Sequence, residues 1–98
     1  MKEISTEELR RRLEAGEDLV VLDVREPHEV AEAAIEGSVN IPLNQVVERM
    51  GEVDSSRPTA VICAKGGRSA RAIEGLEAAG YSGELLNVSG GMEAWLEQ

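Results

Sequence analysis

Cys63 is the only cysteine among 98 residues, and it opens a segment unlike any other in the chain: Cys63-Ala64-Lys65-Gly66-Gly67-Arg68-Ser69. Two adjacent glycines allow positive φ and turn successive N–H groups inward, which makes a concave anion site of the backbone itself. A helix starting just after the glycines aims the positive end of its dipole at the same place. Lys65, Arg68 and Arg71 add side-chain charge. Between Asp54 and Glu74 there is no acidic residue, although Arg57, Lys65, Arg68 and Arg71 all lie there. Cationic neighbours and a helix N-terminus depress a thiol pKa and turn cysteine into a nucleophilic thiolate. A lone cysteine at a strand end is more often inert packing, and a Gly-Gly pair alone is only a turn. The conjunction of cysteine, glycines, arginine and helix start is far more specific, and it points to a reactive Cys63.

The elements that must position this loop can be read from the flanking pattern. Thr59-Ala60-Val61-Ile62-Cys63 and Leu19-Val20-Val21-Leu22-Asp23-Val24 are unbroken β-favouring runs. Strands apolar on both sides belong to a parallel sheet covered by helices. Val39 to Pro42 and Glu84 to Val88 read as two further strands. Ser5 caps a first helix, with Glu8 reaching back to it, Ile4 and Leu9 forming a hydrophobic staple, and Gly16 closing it. Pro27 opens a short helix running to about Ala34. Leu43 to about Met50 is expected to be helical, as are Ser69 to Ala79, with Ile73, Leu76 and Ala79 inward, and Met92 to Leu96. The alternation predicts one α/β domain over residues 1–98, with a mainly parallel sheet covered by helices. In such sheets ligands bind outside the carboxyl ends of the strands, where the cysteine loop falls.

Composition narrows the chemistry. Nineteen acids against ten bases give a net charge of −9, which argues against nucleic-acid binding and against anionic membrane surfaces. Tyr81 and Trp95 are the only aromatics, so the core must be aliphatic. One cysteine and one histidine build no disulfide framework and no multi-Cys/His metal site, and no metal or cofactor is expected. No basic stretch followed by an apolar run opens the chain, and no run approaches the ~20 residues that span a bilayer, so a reducing cytoplasm is the expected compartment.

Asp23 and Arg25 follow a buried strand and lie near the same sheet edge. They are candidates for orienting the loop, although a structural ion pair is the simpler role. His28, in the first turn of a separate helix, is expected to face solvent, and Trp95 to cap the core. Glu7, Glu8 and Arg10 to Arg12 read as a solvated helix face.

At the cysteine loop the chain resembles a single-domain rhodanese, a sulfurtransferase. Leu22-Asp23-Val24-Arg25-Glu26 is similar to the first signature of that family, and Gly37-Ser38-Val39-Asn40-Ile41-Pro42 to the second. Cys63 to Ser69 resembles its active-site loop, and Gly90-Gly91-Met92-Glu93-Ala94-Trp95 its closing Gly-Gly-x-x-x-Trp element. The resemblance implies a three-layer rhodanese-like fold, with a mainly parallel central sheet of about five strands flanked by helices, and a Cys63 persulfide formed from a small anionic sulfur donor such as thiosulfate. It implies that the amides of Ala64, Lys65, Gly66, Gly67 and Ser69 stabilise the anion, while Arg68, helped by Lys65, holds the sulfonate oxygens. An acceptor thiol, cyanide or a sulfur-accepting protein then takes the sulfur, with the domain acting as a monomer. The alternative within the same fold is a protein-binding or sulfur-relay module with little turnover of its own. Two departures stand out: Ala33-Ala34-Ile35 replaces the family's common Gly-His-Ile, and Val30 replaces a frequent aromatic. Only four residues separate Cys63 from Arg68, whereas related folds that cradle phosphate or arsenate have five. The tighter ring suits a second sulfur bonded at about 2.05 Å better than a whole phosphate.

Overall fold

The computed structural model describes residues 1–98. Five parallel strands form one sheet: β1 (Glu3–Ile4), β2 (Val20–Asp23), β3 (Val39–Asn40), β4 (Thr59–Ile62) and β5 (Leu85–Val88). Their spatial order is β1-β5-β4-β2-β3. The helices are α1 (Thr6–Glu14), α2 (Pro27–Glu32), α3 (Gly67–Ala78) and α4 (Gly91–Leu96). This is the helix-covered parallel sheet that the two unbroken apolar runs demanded.

Alternation along the strands builds the two faces. Val61 and Cys63 pack with Leu22 and Val24 against Ala72, Ile73 and Leu76 of α3. Ala60 and Ile62 point the other way and join Val21, Leu86 and Val88 around Leu9 of α1 and Met92 of α4. Trp95 lies half-buried against this second cluster, with the Arg10 guanidinium 4.0 Å above its ring.

Three expectations need correction. Leu43 to Met50 is not a continuous helix: two 3-10 turns, Leu43–Gln45 and Met50–Glu52, flank a stretch of turn. Asn44 and the β-branched pair Val46-Val47 are weak helix formers, and Val46 and Val53, each the residue that follows one of the turns, are both buried in the core. Glu8 does not complete a capping box. Its amide donates to Ser5 Oγ at 3.0 Å, but its carboxylate instead accepts from Arg11 at 2.8 and 2.7 Å. Ala79 is exposed, because α3 ends one residue before it.

Two elements extend what the sequence pattern announces. Strand β1 is two residues long, too short for any periodicity, and it exists because β5 offers an open edge. Helix α3 starts at Gly67 and not at Ser69, with Gly66 at φ +117° as its left-handed N-cap.

The topology decides where these parts meet. Strand β3 lies beside β2 on one side, while β5 lies beside β4 on the other. The connections leaving β2 and β4 therefore diverge, which opens a crevice at the carboxyl edge. The loop after β4 carries Cys63, and the segment after β2 carries Arg25 and α2.

Candidate active site

Cys63 sits one residue past the central strand and is 1% exposed. The loop wraps its sulfur. The Gly66 amide donates to Sγ at 3.0 Å, and Ser69 Oγ lies 3.4 Å from it. Burial pushes the Cys63 thiol up, but the Ser69 hydroxyl and the amides of Ser69, Gly66 and Lys65 outweigh it and leave the thiol below its ordinary value. Gly66 can deliver its N–H only at a positive φ that a side chain rarely accepts. The approach to the sulfur is an open depression of about 280 Å³ lined by Cys63, Ala64, Lys65, Gly67 and Arg68.

Ser69 is fully buried and its hydroxyl is held by Asn87 on β5, with Oγ 2.5 Å from Asn87 Oδ1. Asn87 is the one polar residue that β5 buries on the α3 side of the sheet, and its Nδ2 lies 3.3 Å from the Gly66 carbonyl. The residue thereby ties the start of α3 to the sheet. Nothing in its local sequence marks it, because a single Asn in an apolar strand has no motif.

Gly91 is the second residue that sequence reasoning underrates. The α4 amides of Met92 and Glu93 donate to the carbonyls of Cys63 and Ala64 at 2.8 and 3.1 Å. The loop backbone is thus clamped from behind by the first turn of α4. A Cβ on Gly91 would lie 2.4 Å from the Cys63 carbonyl oxygen, so only glycine permits this approach.

Arg68 is placed beside the sulfur depression, but its guanidinium is already engaged. It forms a two-pronged ion pair with Glu29 of α2, at 2.7 and 2.9 Å. The Arg68 fork, the Glu26 amide and, more distantly, Arg25 hold the Glu29 carboxyl down to about 2, against an opposing contribution from burial. Two of the five Arg68 N–H donors are used on Glu29 and three remain. Lys65 is exposed and lies 3.6 Å from Glu93. His28 faces solvent.

Asp23 and Arg25 do not touch the loop. They form a buried pair at 2.8 Å, and Arg25 also donates to the Ala33 carbonyl at 2.7 Å. Asn40 Nδ2 bonds the Asp23 and Arg25 carbonyls, both at 2.9 Å. This pair fastens the end of α2 to the sheet, and α2 in turn presents Glu29 to Arg68. The acid-free stretch of sequence is not acid-free in space. Asp18 meets Arg57, Glu93 meets Lys65 and Glu29 meets Arg68.

The Glu29–Arg68 pair makes a stability prediction with a definite sign. A folded-state carboxyl held near 2 instead of its ordinary 4.5 stabilises the native state above about pH 4.5 and stops doing so as pH falls toward 2. Glu29→Gln is therefore expected to melt below the parent at pH 7, with the gap closing between about pH 4.5 and 2. Paired thermal melts across that range check it; a gap that is constant with pH would show the ion pair to be neutral for folding.

An open parallel α/β sheet with a glycine loop wrapped around a cysteine at its carboxyl edge defines the class of fold. The comparisons narrow it. The Rhodanese-like domain family matches residues 5–98, and the chain belongs to that family. It is 40% identical over 95 residues to a Bacillus subtilis protein named "Putative sulfurtransferase YtwF", covering 97% of this chain and 90% of that one. It is 36% identical over 95 residues to a protein of Allochromatium vinosum named "Sulfurtransferase", covering 97% and 88%. The crystal structure of a rhodanese-related protein from Thermoplasma volcanium superposes with a TM-score of 0.88 at 34% identity, over 99% of this chain and 92% of that one. No helix is long and apolar enough to cross a membrane.

Proposed function

We propose that this protein is a sulfurtransferase that carries sulfane sulfur on Cys63. The observation that carries the reading is the Gly66 amide 3.0 Å from Sγ, in a loop that lowers the thiol pKa despite burial. The Cys63 thiolate attacks the outer sulfur of thiosulfate. An S–S bond forms, the bond to the sulfonate sulfur breaks, and its electron pair leaves with sulfite. The loop amides that face the thiolate then hold the persulfide anion, as fixed donors hold any charge that develops in a transition state. An acceptor thiolate takes the outer sulfur and returns Cys63 to its starting state. A persulfide donor and a sulfur-accepting protein fit the same cycle, and cyanide is a convenient acceptor. A lone thiol with no disulfide suits a reducing cytoplasm, and the reading assigns no metal or cofactor and a monomer as the working unit.

Arg68 holds the sulfonate with the N–H groups that Glu29 leaves free, while Ala64, Lys65, Gly66, Gly67 and Ser69 line the anion path. Asp23 and Arg25 act through α2, by holding the element that holds Arg68. The direct test is mass spectrometry after thiosulfate treatment. The parent chain is expected to gain one sulfur and Cys63→Ser none; a gain that persists in Cys63→Ser would sink the reading. A chain that loads sulfur yet passes it only to a particular protein, never to small thiols, would be a relay module.

Arg68→Lys tests the clamp by geometry at constant charge. A guanidinium spans Glu29 and an oxyanion together, whereas an ammonium is a point donor. The substitution is expected to lower kcat/KM for thiosulfate at least about tenfold, roughly 1.4 kcal/mol. Steady-state kinetics at fixed acceptor concentration check it, and an unchanged kcat/KM would assign donor binding to the backbone alone.

A further inference from the structure

Eight of the ten Lys and Arg side chains lie within 4.0 Å of a carboxylate, and Arg10 is occupied by Trp95 and Gln98. Arg71 alone has no ionic, hydrogen-bonding or aromatic partner. In a chain with nineteen acids, an arginine left without any partner is conspicuous. It lines a groove of about 540 Å³ that begins at Arg68, beside the sulfur depression. The groove runs along α3 to Gly75, with Leu43 and Val47 of the facing turn segment as its apolar wall. Val47 is 42% exposed. Gly75 keeps the floor low, since a Cβ there would press on Val47 Cγ2 at 3.3 Å.

We propose that this groove seats the tail of the sulfur acceptor: a small peptidic thiol whose single carboxylate is bound by Arg71. The proposal rests on the sulfurtransferase reading and adds to it where the acceptor lies and which charge it carries. Length supports it. From Gly67 to Arg71 α3 rises about 6 Å, the arginine side chain reaches beyond its own Cα, and an extended tripeptide spans about 10 Å. A thiol over Cys63 then places a terminal carboxylate within reach of Arg71 and an aliphatic side chain against Leu43 and Val47. Charge supports it too. Glu29 already neutralises Arg68, and Glu26 is the one acid in the lining, so the groove suits one carboxylate at the Arg71 end better than a polyanion. In the transfer the acceptor thiolate attacks the outer sulfur of the Cys63 persulfide. The new S–S bond forms on the peptide, the old one breaks, and the Cys63 thiolate leaves; no outside oxidant or reductant is needed.

The experiment separates acceptor recognition from loading. Cys63 is loaded with thiosulfate, the donor is removed, and discharge is followed by mass spectrometry. The acceptors are N-acetyl-Cys-Ala-Leu as the free acid and as its C-terminal amide, compared at equal thiolate concentration. A charged contact at an exposed arginine is discounted for screening, and the acid is still expected to discharge the persulfide at least about fivefold faster. Arg71→Gln is expected to load sulfur normally, to keep the amide rate, and to bring the acid down to it. Equal rates for acid and amide in the parent chain, or a preference that survives Arg71→Gln, would overturn the proposal. Should Cys63 take up no sulfur, it is the sulfurtransferase reading that fails. The groove is then tested by NMR titration with N-acetyl-Ser-Ala-Leu acid and amide. Acid-selective shifts along α3 that vanish in Arg71→Gln support the site, and their absence overturns it.

Discussion

In Cys63→Ala, transfer of sulfur from thiosulfate to cyanide is expected to fall to the rate of the uncatalysed reaction while the protein still melts cooperatively. The cysteine side chain belongs to the buried cluster of Leu22, Val24, Val61 and Ile73, so removing its sulfur leaves only a small void. A void of that size costs about 1 kcal/mol, within what a small domain tolerates. The chemistry has no substitute, because no other cysteine exists in the chain. Cys63→Ser should be equally inactive, since a hydroxyl is not ionised at pH 7 and forms no persulfide. Sulfite release and thiocyanate formation measure both halves of the reaction. Activity within tenfold of the parent in either variant would remove Cys63 from the mechanism. The parent preparation is also expected to leave an aryl phosphate unhydrolysed, because the Gly66 amide reaches directly to Sγ and the ring closes on the sulfur itself. Phosphate hydrolysis as fast as sulfur transfer, lost in Cys63→Ser, would reverse that preference.

Gly91→Ala is expected to do nearly as much damage from 28 positions away. Its Cβ would stand 2.4 Å from the Cys63 carbonyl oxygen and 2.6 Å from the Ala64 carbonyl carbon. Both are backbone atoms, so no rotamer relieves the clash, and at φ +58° the alanine is strained besides. Either α4 moves out and releases the Cys63 and Ala64 carbonyls, or the loop moves and misplaces the thiolate. The expected cost is about 2–4 kcal/mol in urea denaturation. A loop shifted by about 1 Å loses roughly 100-fold in turnover. Gly51→Ala is the control, because open space surrounds the new Cβ, and it should change neither quantity by much. A Gly91→Ala protein with parental kcat/KM would show that the α4 clamp does not set the loop geometry.

These two residues differ in how visible they are. Cys63 can be found in the sequence because every feature that points to a reactive thiol lies within six residues: the strand before it, the glycines and the helix start after it. The role of Gly91 is hidden, although the Gly-Gly pair is plain, because the reason for it is a carbonyl at position 63. Glu29 is hidden in the same way. It lies 39 positions from Arg68 and reads locally as an ordinary acid in a short helix. Arg71 looks like one member of a basic stretch, yet the fold supplies acids to its neighbours and none to it.

Local chemistry along the chain determined the helix-covered parallel sheet, the strand that ends in a cysteine, and the turn that can bend back over its sulfur. Each depends on side-chain period, glycine torsions and residue charge, which act between neighbours. Tertiary structure decided which distant groups close around that turn. Strand order put β2 and β5, which lead into α2 and α4, on either side of β4, brought Glu29 to Arg68 and Asn87 to Ser69, and left Arg71 facing a groove. It also broke the expected Leu43–Met50 helix into two 3-10 turns, because burying Val46 and Val53 against α3 outweighed the weak helical preference of that segment. Such contacts are set by packing between elements far apart in sequence, and no residue advertises its distant partner by its neighbours.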